Sequence, residues 1–364
     1  SGPARMGGDS CRVDAVDPRA RARSFADVDH VLLVTPTATT TPSVRPVMAG
    51  ALGALVALDD RVVVVGTPSR ATNVWCTGTY GTLYSVDATT LAVRSSTTPY
   101  LCITALVRDP LGPGFLAAYG GPEAPRLGRF DPELRLRESL ALDTDGQSVV
   151  RLAASASMGL VYVATSTKRG GAAGLFALSA LTGGRVWTAP RAGQRYVDLV
   201  LFDDEVVALD EGSQQVYAFA EDGTFRLAAP IALACGLSSV EVARLWALRE
   251  PNRWMITTQL EGAEMLVLTD TRNTGCDSAS AYIAPGAEPL AIATWPGPDP
   301  ERLMVGLWTP EGEAVLARYD TREQRFEPGL VTLGEGFVGE LGSVGSTAFA
   351  TLPLSGELVR IRPR

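Results

Sequence analysis

The sequence predicts an all-β fold built from one four-stranded unit that is repeated seven times. Three observations lead to this prediction: a short apolar segment recurs along the chain, strand-like runs surround each copy, and the composition suits many tight turns. The 364 residues include 37 glycines and 24 prolines, which favour short elements joined by turns over long helices. Hydrophobic residues make up 46% of the chain, enough for a large core.

The recurring segment is an apolar run that ends at a polar or small residue and then turns. Its seven copies are Leu83–Asp87, Leu127–Asp131, Leu175–Ser179, Val216–Ala220, Met265–Thr269, Leu316–Asp320 and Leu358–Arg362. Their last residues lie 44, 48, 41, 49, 51 and 42 positions apart. Spacings of about 40 to 50 residues are typical of the blades of a β-propeller, each of which is a four-stranded antiparallel sheet.

Two strand-like runs precede each copy and one follows it. The first unit has runs at Ala54–Leu58 and Val62–Gly66, and the fourth has runs at Tyr196–Phe202 and Glu205–Leu209. The fourth strands are predicted at Leu91–Ser96, Leu134–Leu142, Val186–Ala189 and Phe225–Leu233. The acidic pairs between the first two runs are interpreted as hairpin turns, since Asp tolerates the backbone that such turns need.

The last unit stops after its third strand, so its fourth strand must come from elsewhere. The apolar run His30–Thr35 has no partner of its own, and we expect it to pair with the strand around Leu358–Ile361. This pairing would close a ring of seven blades and remove an exposed sheet edge. The predicted organisation is an extended N-terminal tail over residues 1–28 and a single seven-bladed propeller over 29–364. An ordinary N-terminal strand that caps another sheet is the alternative.

Two other fold classes fit less well. A β-sandwich needs about seven to nine strands, far fewer than the runs found here. A parallel β/α fold needs amphipathic helices between its strands, and no convincing one is present. The segment Ser239–Arg249 resembles a helix at first, but Val240, Val242 and Leu245 also fit a strand at the expected place.

The charge balance excludes a broadly basic nucleic-acid binder. Lys and Arg total 32 against 40 Asp and Glu, a formal net charge of −8. No apolar run approaches the roughly 20 residues that span a bilayer, so no membrane span is expected. Ser1–Ser10 is small and polar, without the apolar core of a signal segment. Any export signal is therefore expected to be missing from the chain.

The five cysteines are Cys11, Cys76, Cys102, Cys235 and Cys276. They form no paired motif, and with one histidine a zinc cluster is not expected. They fit buried thiols in a cytosolic protein, or two disulfides and one leftover thiol in an exported protein, which scattered cysteines in a β-rich chain favour. Propeller geometry would place Cys76 and Cys102 on one face in neighbouring positions, so this disulfide is predicted. Cys11 could reach Cys276, and a lipid anchor on Cys11 fits poorly because Asp9 stands where a small or apolar residue is needed.

The segment Ala177-Leu-Ser-Ala-Leu-Thr-Gly-Gly-Arg-Val-Trp187 resembles the repeat of the quinoprotein-like propellers, with Ser179 in place of Asp. Weaker echoes at Ser85–Thr90 and Arg318–Arg322 lack the following tryptophan. The resemblance implies that Gly183 makes the turn between third and fourth strands and that Trp187 packs on a neighbouring blade. Quinone-using members often have adjacent cysteines, which are absent here, so no cofactor is expected.

The residues that usually carry catalysis are sparse in this chain. His30, the only histidine, is predicted to lie in the outer closing strand, far from the centre, and no Gly-x-Ser-x-Gly motif occurs. We therefore assign no catalytic, cofactor-binding or metal-binding residue. The alternatives left open are a calcium-assisted hydrolase or lyase that uses Asp or Glu, and less readily a quinoprotein oxidoreductase.

The longest connections crowd one sector of one face: Pro36–Gly50, Pro68–Gly81 and Thr97–Cys102. Loops carried by a rigid scaffold often bind partners. The candidate residues in this sector are Arg45, Arg70, Trp75, Tyr80 and Tyr100. The alternative is that the Thr/Pro-rich loop merely crosses from the outermost to the innermost strand. The predicted function is a non-catalytic, exported (periplasmic, cell-surface or secreted) monomer that binds a protein, a surface polymer or a small ligand.

Overall fold

A computed structural model describes most of the chain. The described residues are 24–35, 50–71, 80–121, 124–166, 174–189, 196–202, 204–210, 215–230, 243–247, 253–258, 264–269, 277–282, 288–296, 301–309, 311–323 and 325–364. Within these ranges the secondary structure is all β. No helix that could cross a membrane was found there.

The strands of the described residues form seven antiparallel sheets, which we number in chain order. Strand β1 (Ala26–Leu32) belongs to the last sheet. Sheet one contains β2 (Gly50–Ala57), β3 (Arg61–Ala71), β4 (Tyr80–Asp87) and β5 (Val93–Ser96), and the short β6 (Tyr100–Leu101) pairs with β4. Sheet two contains β7 (Ala105–Arg108), β8 (Phe115–Tyr119), β9 (Arg126–Phe130) and β10 (Leu136–Ala141). Sheet three contains β11 (Ser148–Ser155), β12 (Leu160–Ser166), β13 (Leu175–Ser179) and β14 (Arg185–Thr188).

The remaining four sheets repeat the same order. Sheet four contains β15 (Tyr196–Phe202), β16 (Glu205–Asp210), β17 (Gln215–Ala220) and β18 (Phe225–Pro230). Sheet five contains β19 (Ala243–Ala247), β20 (Arg253–Thr258), β21 (Glu264–Thr269) and β22 (Asp277–Tyr282). Sheet six contains β23 (Glu288–Thr294), β24 (Arg302–Trp308), β25 (Glu313–Asp320) and β26 (Arg325–Glu335). Sheet seven contains β27 (Leu341–Val344), β28 (Thr347–Leu352) and β29 (Glu357–Pro363), with β1 as its fourth strand.

The second strand of each well-described sheet is apolar on both sides because it lies between neighbouring sheets. Val62, Val63, Val64 and Val65 of β3 are all buried. One face of β3 packs with sheet seven through Phe349 and Leu358, and the other packs with sheet two through Phe115 and Phe130. A run of β-branched residues buried on both faces suits this position. The same double burial recurs in sheets three, four and six.

The first strand of each sheet, here called the inner strand, contacts the inner strand of the next sheet. These strands are β2, β7, β11, β15, β19, β23 and β27, and β27 also contacts β2. Four-stranded sheets packed in this way have the blade-like arrangement of a β-propeller. We call the side with the turns between strands one and two, and between three and four, the turn face. The opposite side is the loop face.

The N-terminal strand pairs with β29, as expected, but starts earlier than predicted. His30 is opposite Val359 and Leu32 is opposite Glu357. The strand was predicted at His30–Thr35, whereas β1 covers Ala26–Leu32. It therefore includes residues 26–28, which were assigned to the tail. The reason is electrostatic: Asp27 and Asp29 alternate along β1. Asp29 pairs with Arg360 and Arg362 of β29, and Asp27 pairs with Arg364, which directly follows β29.

Other differences concern strand ends. Strand β3 continues to Ala71, so Pro68–Ala71 is strand and not loop. Strand β10 begins at Leu136 and β5 begins at Val93, each two residues later than predicted, because Asp131 and Asp87 close the preceding turns with hydrogen bonds from backbone amides. The ambiguous segment Ser239–Arg249 contains strand β19 over Ala243–Ala247, and its other residues lie outside the described ranges.

Candidate functional site

A group of charges, which we call the inner-strand charge cluster, joins three sheets; Asp198 is buried, and Arg151 and Glu340 are half-buried. Arg151 lies on β11, Asp198 on β15 and Glu340 immediately before β27. Arg151 Nε donates to Asp198 Oδ1 over 2.9 Å, and its Nη1 donates to Glu340 Oε1 over 2.7 Å. One guanidinium thus links sheet three to sheet four and to sheet seven, 189 positions away in sequence.

β-Bulges direct two of these side chains. The register between β11 and β12 shifts between Val149 and Arg151, and the register between β15 and β16 shifts between Tyr196 and Asp198. Each bulge inserts one residue into an inner strand and re-aims the side chains beside it. The bulges thus orient the side chains of Arg151 and Asp198, on neighbouring inner strands, towards each other.

The cluster is electrostatically satisfied. Asp198 also accepts hydrogen bonds from the backbone amides of Leu199, at 3.0 Å, and of Leu245 on the inner strand of sheet five, at 2.7 Å. Burial would lower the pKa of Arg151, but the carboxylates of Glu340 and Asp198 outweigh it and raise the pKa above its ordinary value. The guanidinium therefore stays charged, and it is already paired with both carboxylates. This arrangement braces the inner strands and leaves no free cation to bind a ligand.

On the loop face the structure brings together two of the predicted site residues. Strand β6 pairs with β4, so that Gly81 is opposite Tyr100 and Tyr80 is opposite Leu101. Tyr80 is 56% exposed. The Tyr100 ring makes edge contacts with Tyr119, at a centroid distance of 5.4 Å, and with Phe130, at 5.5 Å.

These contacts join Tyr100 and Tyr119 at the junction of sheets one and two, and Tyr80 lies one position along β4 from the residue opposite Tyr100. We call Tyr80, Tyr100 and Tyr119 the tyrosine cluster. Burial and the neighbouring Tyr119 raise the pKa of Tyr100, so its hydroxyl stays protonated. Tyr119 Oη shares a hydrogen bond of 2.7 Å with Ser139 Oγ, which also accepts from Arg126 Nε at 2.7 Å. The base of the cluster is thus fixed by hydrogen bonds.

The other predicted site residues are only partly placed. Arg70 lies in β3, although the sequence assigned it to a loop, and its side chain is not described. Arg45 and Trp75 lie outside the described residues, as do Cys11, Cys76, Cys235 and Cys276. Cys102 directly follows β6, is buried and is disulfide-bonded. Its predicted pairing with Cys76 stays a prediction.

Gly183 and Trp187 have the structural roles that the resemblance implied. Gly183 has a φ of 68° in the turn between β13 and β14, a backbone that favours glycine. Trp187 on β14 packs on sheet four, with its ring 6.0 Å from that of Phe219. Its Nε1 donates to the backbone oxygen of Glu221 over 2.9 Å.

A repeated arginine, which the sequence analysis did not identify, joins each of three sheets to the next. Arg129, Arg318 and Arg360 all occupy the third place of the recurring five-residue segment. Arg129 donates to Ala180 O in sheet three, and Arg360 donates to Thr89 O in sheet one. Arg318 lies 4.3 Å from the ring centroid of Phe25, beside the start of β1. The sequence does contain a signal for this repeated arginine, since three of the seven recurring segments begin with Leu-x-Arg.

The carboxylates of the described residues do not gather into a metal centre. In those ranges no group of three or more His, Cys, Asp or Glu side chains has a geometry that could hold a metal ion. His30 lies in β1, the outer strand of sheet seven, as expected. Its Nδ1 is 3.7 Å from Glu357 Oε2.

No protein-family model and no curated protein sequence matches the chain. Solved structures do match in fold. The structure of the Dos1 propeller has a TM-score of 0.58 at 11% identity, covering 86% of this chain and 78% of that one. The WD40 β-propeller domain of Doa1 has a TM-score of 0.57 at 12% identity, covering 86% and 92%.

The Cps50 (Swd1) β-propeller domain from Myceliophteria thermophila has a TM-score of 0.59 at 10% identity, covering 86% of this chain and 97% of that domain. At such low identity the likeness concerns the fold alone. The quinoprotein-like superfamily is not confirmed, because these neighbours are propellers of the WD40 type. The comparisons therefore support a β-propeller fold.

Proposed function

We propose that this chain is a non-catalytic binding or scaffold module whose partner docks on the loop face at the tyrosine cluster. The observation that carries the proposal is that β6 brings Tyr100 beside β4, next to the largely exposed Tyr80. Tyrosines give a large, rigid contact area at a low cost in conformational entropy and are enriched at binding sites. The WD40-type neighbours agree with a binding role in general terms.

The scaffold for this site is a closed, seven-bladed propeller that begins with β1 at Ala26. Three features support closure: the pairing of β1 with β29, the contact between β27 and β2, and the hydrogen bond from Arg360 in sheet seven to sheet one. A closed ring holds loops from different blades in fixed positions. It also leaves the inner-strand charge cluster near the central axis, where it braces the blades.

The proposed module acts as a monomer in an exported (periplasmic, cell-surface or secreted) setting. The disulfide at Cys102 supports this placement, because structural disulfides persist in oxidising compartments. We propose Cys76 as its partner, which would tie the connection after β3 to the segment around β6 and hold the loops beside Tyr80. Mass spectrometry of a non-reduced digest tests this pair, and a linked peptide without Cys76 would contradict it.

The binding proposal is tested with the Tyr80→Ser variant, in which an exposed ring is removed without opening the core. Wild type and variant are screened side by side against a peptide array and an array of purified polysaccharides. The matched control is Val93→Ser, which removes an exposed apolar side chain on β5. Among the probes retained by wild type, at least one should bind Tyr80→Ser at least tenfold more weakly and bind Val93→Ser unchanged. Equal retention by both variants would contradict the proposal.

A further inference from the structure

Two copies of the repeated arginine can be compared, because each is opposite a carboxylate on the outer strand of its own sheet. In sheet seven Arg360 is opposite Asp29 of β1, and in sheet two Arg129 is opposite Glu138 of β10. Arg360 Nε donates to Asp29 Oδ2 over 3.1 Å, and its Nη2 donates to the same oxygen over 2.7 Å. In sheet seven the outer-strand carboxylate therefore satisfies the Nε group directly.

The corresponding Nε group in sheet two has no such bond. Arg129 Nε is buried and has no hydrogen-bond partner within the described part of the chain. Glu138 Oε2 lies 3.5 Å away, beyond the usual range of about 2.7 to 3.2 Å for an N–H···O bond. The other nitrogens of the guanidinium are fixed, since Nη1 donates to Asp109 Oδ2 over 3.0 Å and Nη2 donates to Ala180 O. Arg129 cannot move towards Glu138 without loss of these bonds.

The register of the strands explains why the two copies differ. Strands β1 and β29 pair without interruption, whereas the register between β10 and β9 shifts between Leu136 and Glu138. A bulge re-aims the side chains beside it. The carboxylate of Glu138 therefore lies further from its arginine than that of Asp29 does.

A small cavity lies at this place, between sheets two and three. Arg129, Glu138 and Ser179 contribute to its lining together with apolar residues such as Leu127 and Val161. The cavity leaves room for about one water molecule. Cavities with only apolar walls stay dry, whereas a buried water generally has about two to four polar partners. A buried donor that lacks a partner and a nearby carboxylate meet this condition.

We propose that this cavity is a binding site for one ordered water molecule, which completes the contacts of the repeated arginine between sheets two and three. The water accepts a hydrogen bond from Arg129 Nε and donates to the carboxylate of Glu138 and to Ser179 Oγ. Ser179 Oγ accepts one hydrogen bond from the amide of Thr182 and has a second lone pair for the water. The water in sheet two thus replaces the direct bond that Asp29 makes in sheet seven.

The charges at the cavity select a neutral ligand. An anion such as chloride would meet the carboxylate of Glu138, and a metal cation would meet the guanidinium of Arg129. The ligand must also accept from one group and donate to another, which a water molecule does with a single heavy atom.

Crystal structures of the full chain and of two Glu138 variants test the proposal. Wild type should show one electron-density peak in the cavity, within about 3.2 Å of Arg129 Nε. Glu138→Gln is the matched control and should keep the peak, because its amide oxygen still accepts a hydrogen bond. Glu138→Leu should lose the peak, because it removes the acceptor and places an apolar side chain beside the cavity.

Four results would overturn the proposal. They are a wild-type crystal without the peak, a direct bond from Arg129 Nε to Glu138, retention of the peak in Glu138→Leu, and an anomalous signal at the peak after a bromide soak, which would assign the site to an anion. Relaxation dispersion of ¹⁷O-labelled water gives a test in solution. Wild type and Glu138→Gln should each hold one more long-lived water than Glu138→Leu, and equal numbers in all three proteins would contradict the site.

Discussion

Removal of the guanidinium from the inner-strand charge cluster is expected to lower the stability of the fold substantially. In Arg151→Met the apolar part of the side chain is largely kept, while the carboxylates of Asp198 and Glu340 lose their partner. Asp198 is buried, so its charge cannot be solvated without opening the inner strands. Breaking a buried ion pair by removing one partner generally costs about 3 to 5 kcal/mol.

The expected loss lies at the lower end of that range, about 3 kcal/mol, for two structural reasons. Asp198 keeps hydrogen bonds from the amides of Leu199 and Leu245, and Glu340 is partly exposed, so water can solvate it. The matched control is Arg137→Met. Arg137 is exposed and pairs with the less exposed Asp131 at 2.5 Å. Ion pairs at the surface contribute about 0.2 to 1 kcal/mol.

Urea unfolding followed by tryptophan fluorescence measures both free energies of unfolding. A second comparison uses the double variant Arg151→Met/Asp198→Asn, which removes the unpaired buried charge. Its stability should exceed that of Arg151→Met alone, since an amide costs less to bury than a carboxylate. If Arg151→Met loses no more stability than Arg137→Met, the cluster does not brace the inner strands and the reasoning is refuted.

Two further predictions concern contacts between sheets and between the chain ends. Trp187→Ala should lower the free energy of unfolding by about 2 to 3 kcal/mol in urea titrations. This loss is smaller than for a fully buried tryptophan, because the Trp187 ring is only half-buried. A loss below about 1 kcal/mol would contradict the role of Trp187 in joining sheets three and four. Hydrogen bonds from Arg364 to Asp27 and from Arg360 to Asp29 lower the pKa of each carboxyl below 3.8. These ion pairs therefore stabilise the folded state above that value, and the contribution is lost as the pH falls through the lowered pKa. Protection of the β1 amides from hydrogen exchange should fall below about pH 4 in wild type and change less in Asp29→Asn, whereas identical pH profiles would contradict the prediction.

The strands were largely predictable because their signals are local. The recurring segments around Leu127, Leu316 and Leu358 coincide with β9, β25 and β29, since burial on both faces demands a run of apolar residues at each site. The bounds of β1 were harder to predict from the sequence. The alternation of Asp27 and Asp29 matches that of Arg360, Arg362 and Arg364, but the match becomes visible only when the two ends are aligned.

The candidate site was harder to predict than the fold. Arg151 and Glu340 are 189 positions apart, and nothing near either residue indicates the other. The bulges that aim Arg151 and Asp198 depend on register with neighbouring strands, a property of the assembled sheet. The pairing of Tyr100 beside β4 likewise arises from a two-residue strand, too short to leave a pattern in the sequence. The lengths of the connections indicated which sector of the loop face to consider. The contact between Tyr100 and Tyr119 depends on the packing of sheets one and two and could not be predicted.

The pairing of β1 with β29 has a consequence for how the protein is made. Leu32 pairs with Glu357, 325 positions later. At about 5 to 20 residues per second, a ribosome needs on the order of 20 to 60 seconds to travel between them. During that interval β1 has left the ribosome without its partner β29, and the nascent chain carries an unpaired strand edge. A chaperone that shields β1 throughout translation would protect the chain until synthesis of β29 allows the last sheet to form.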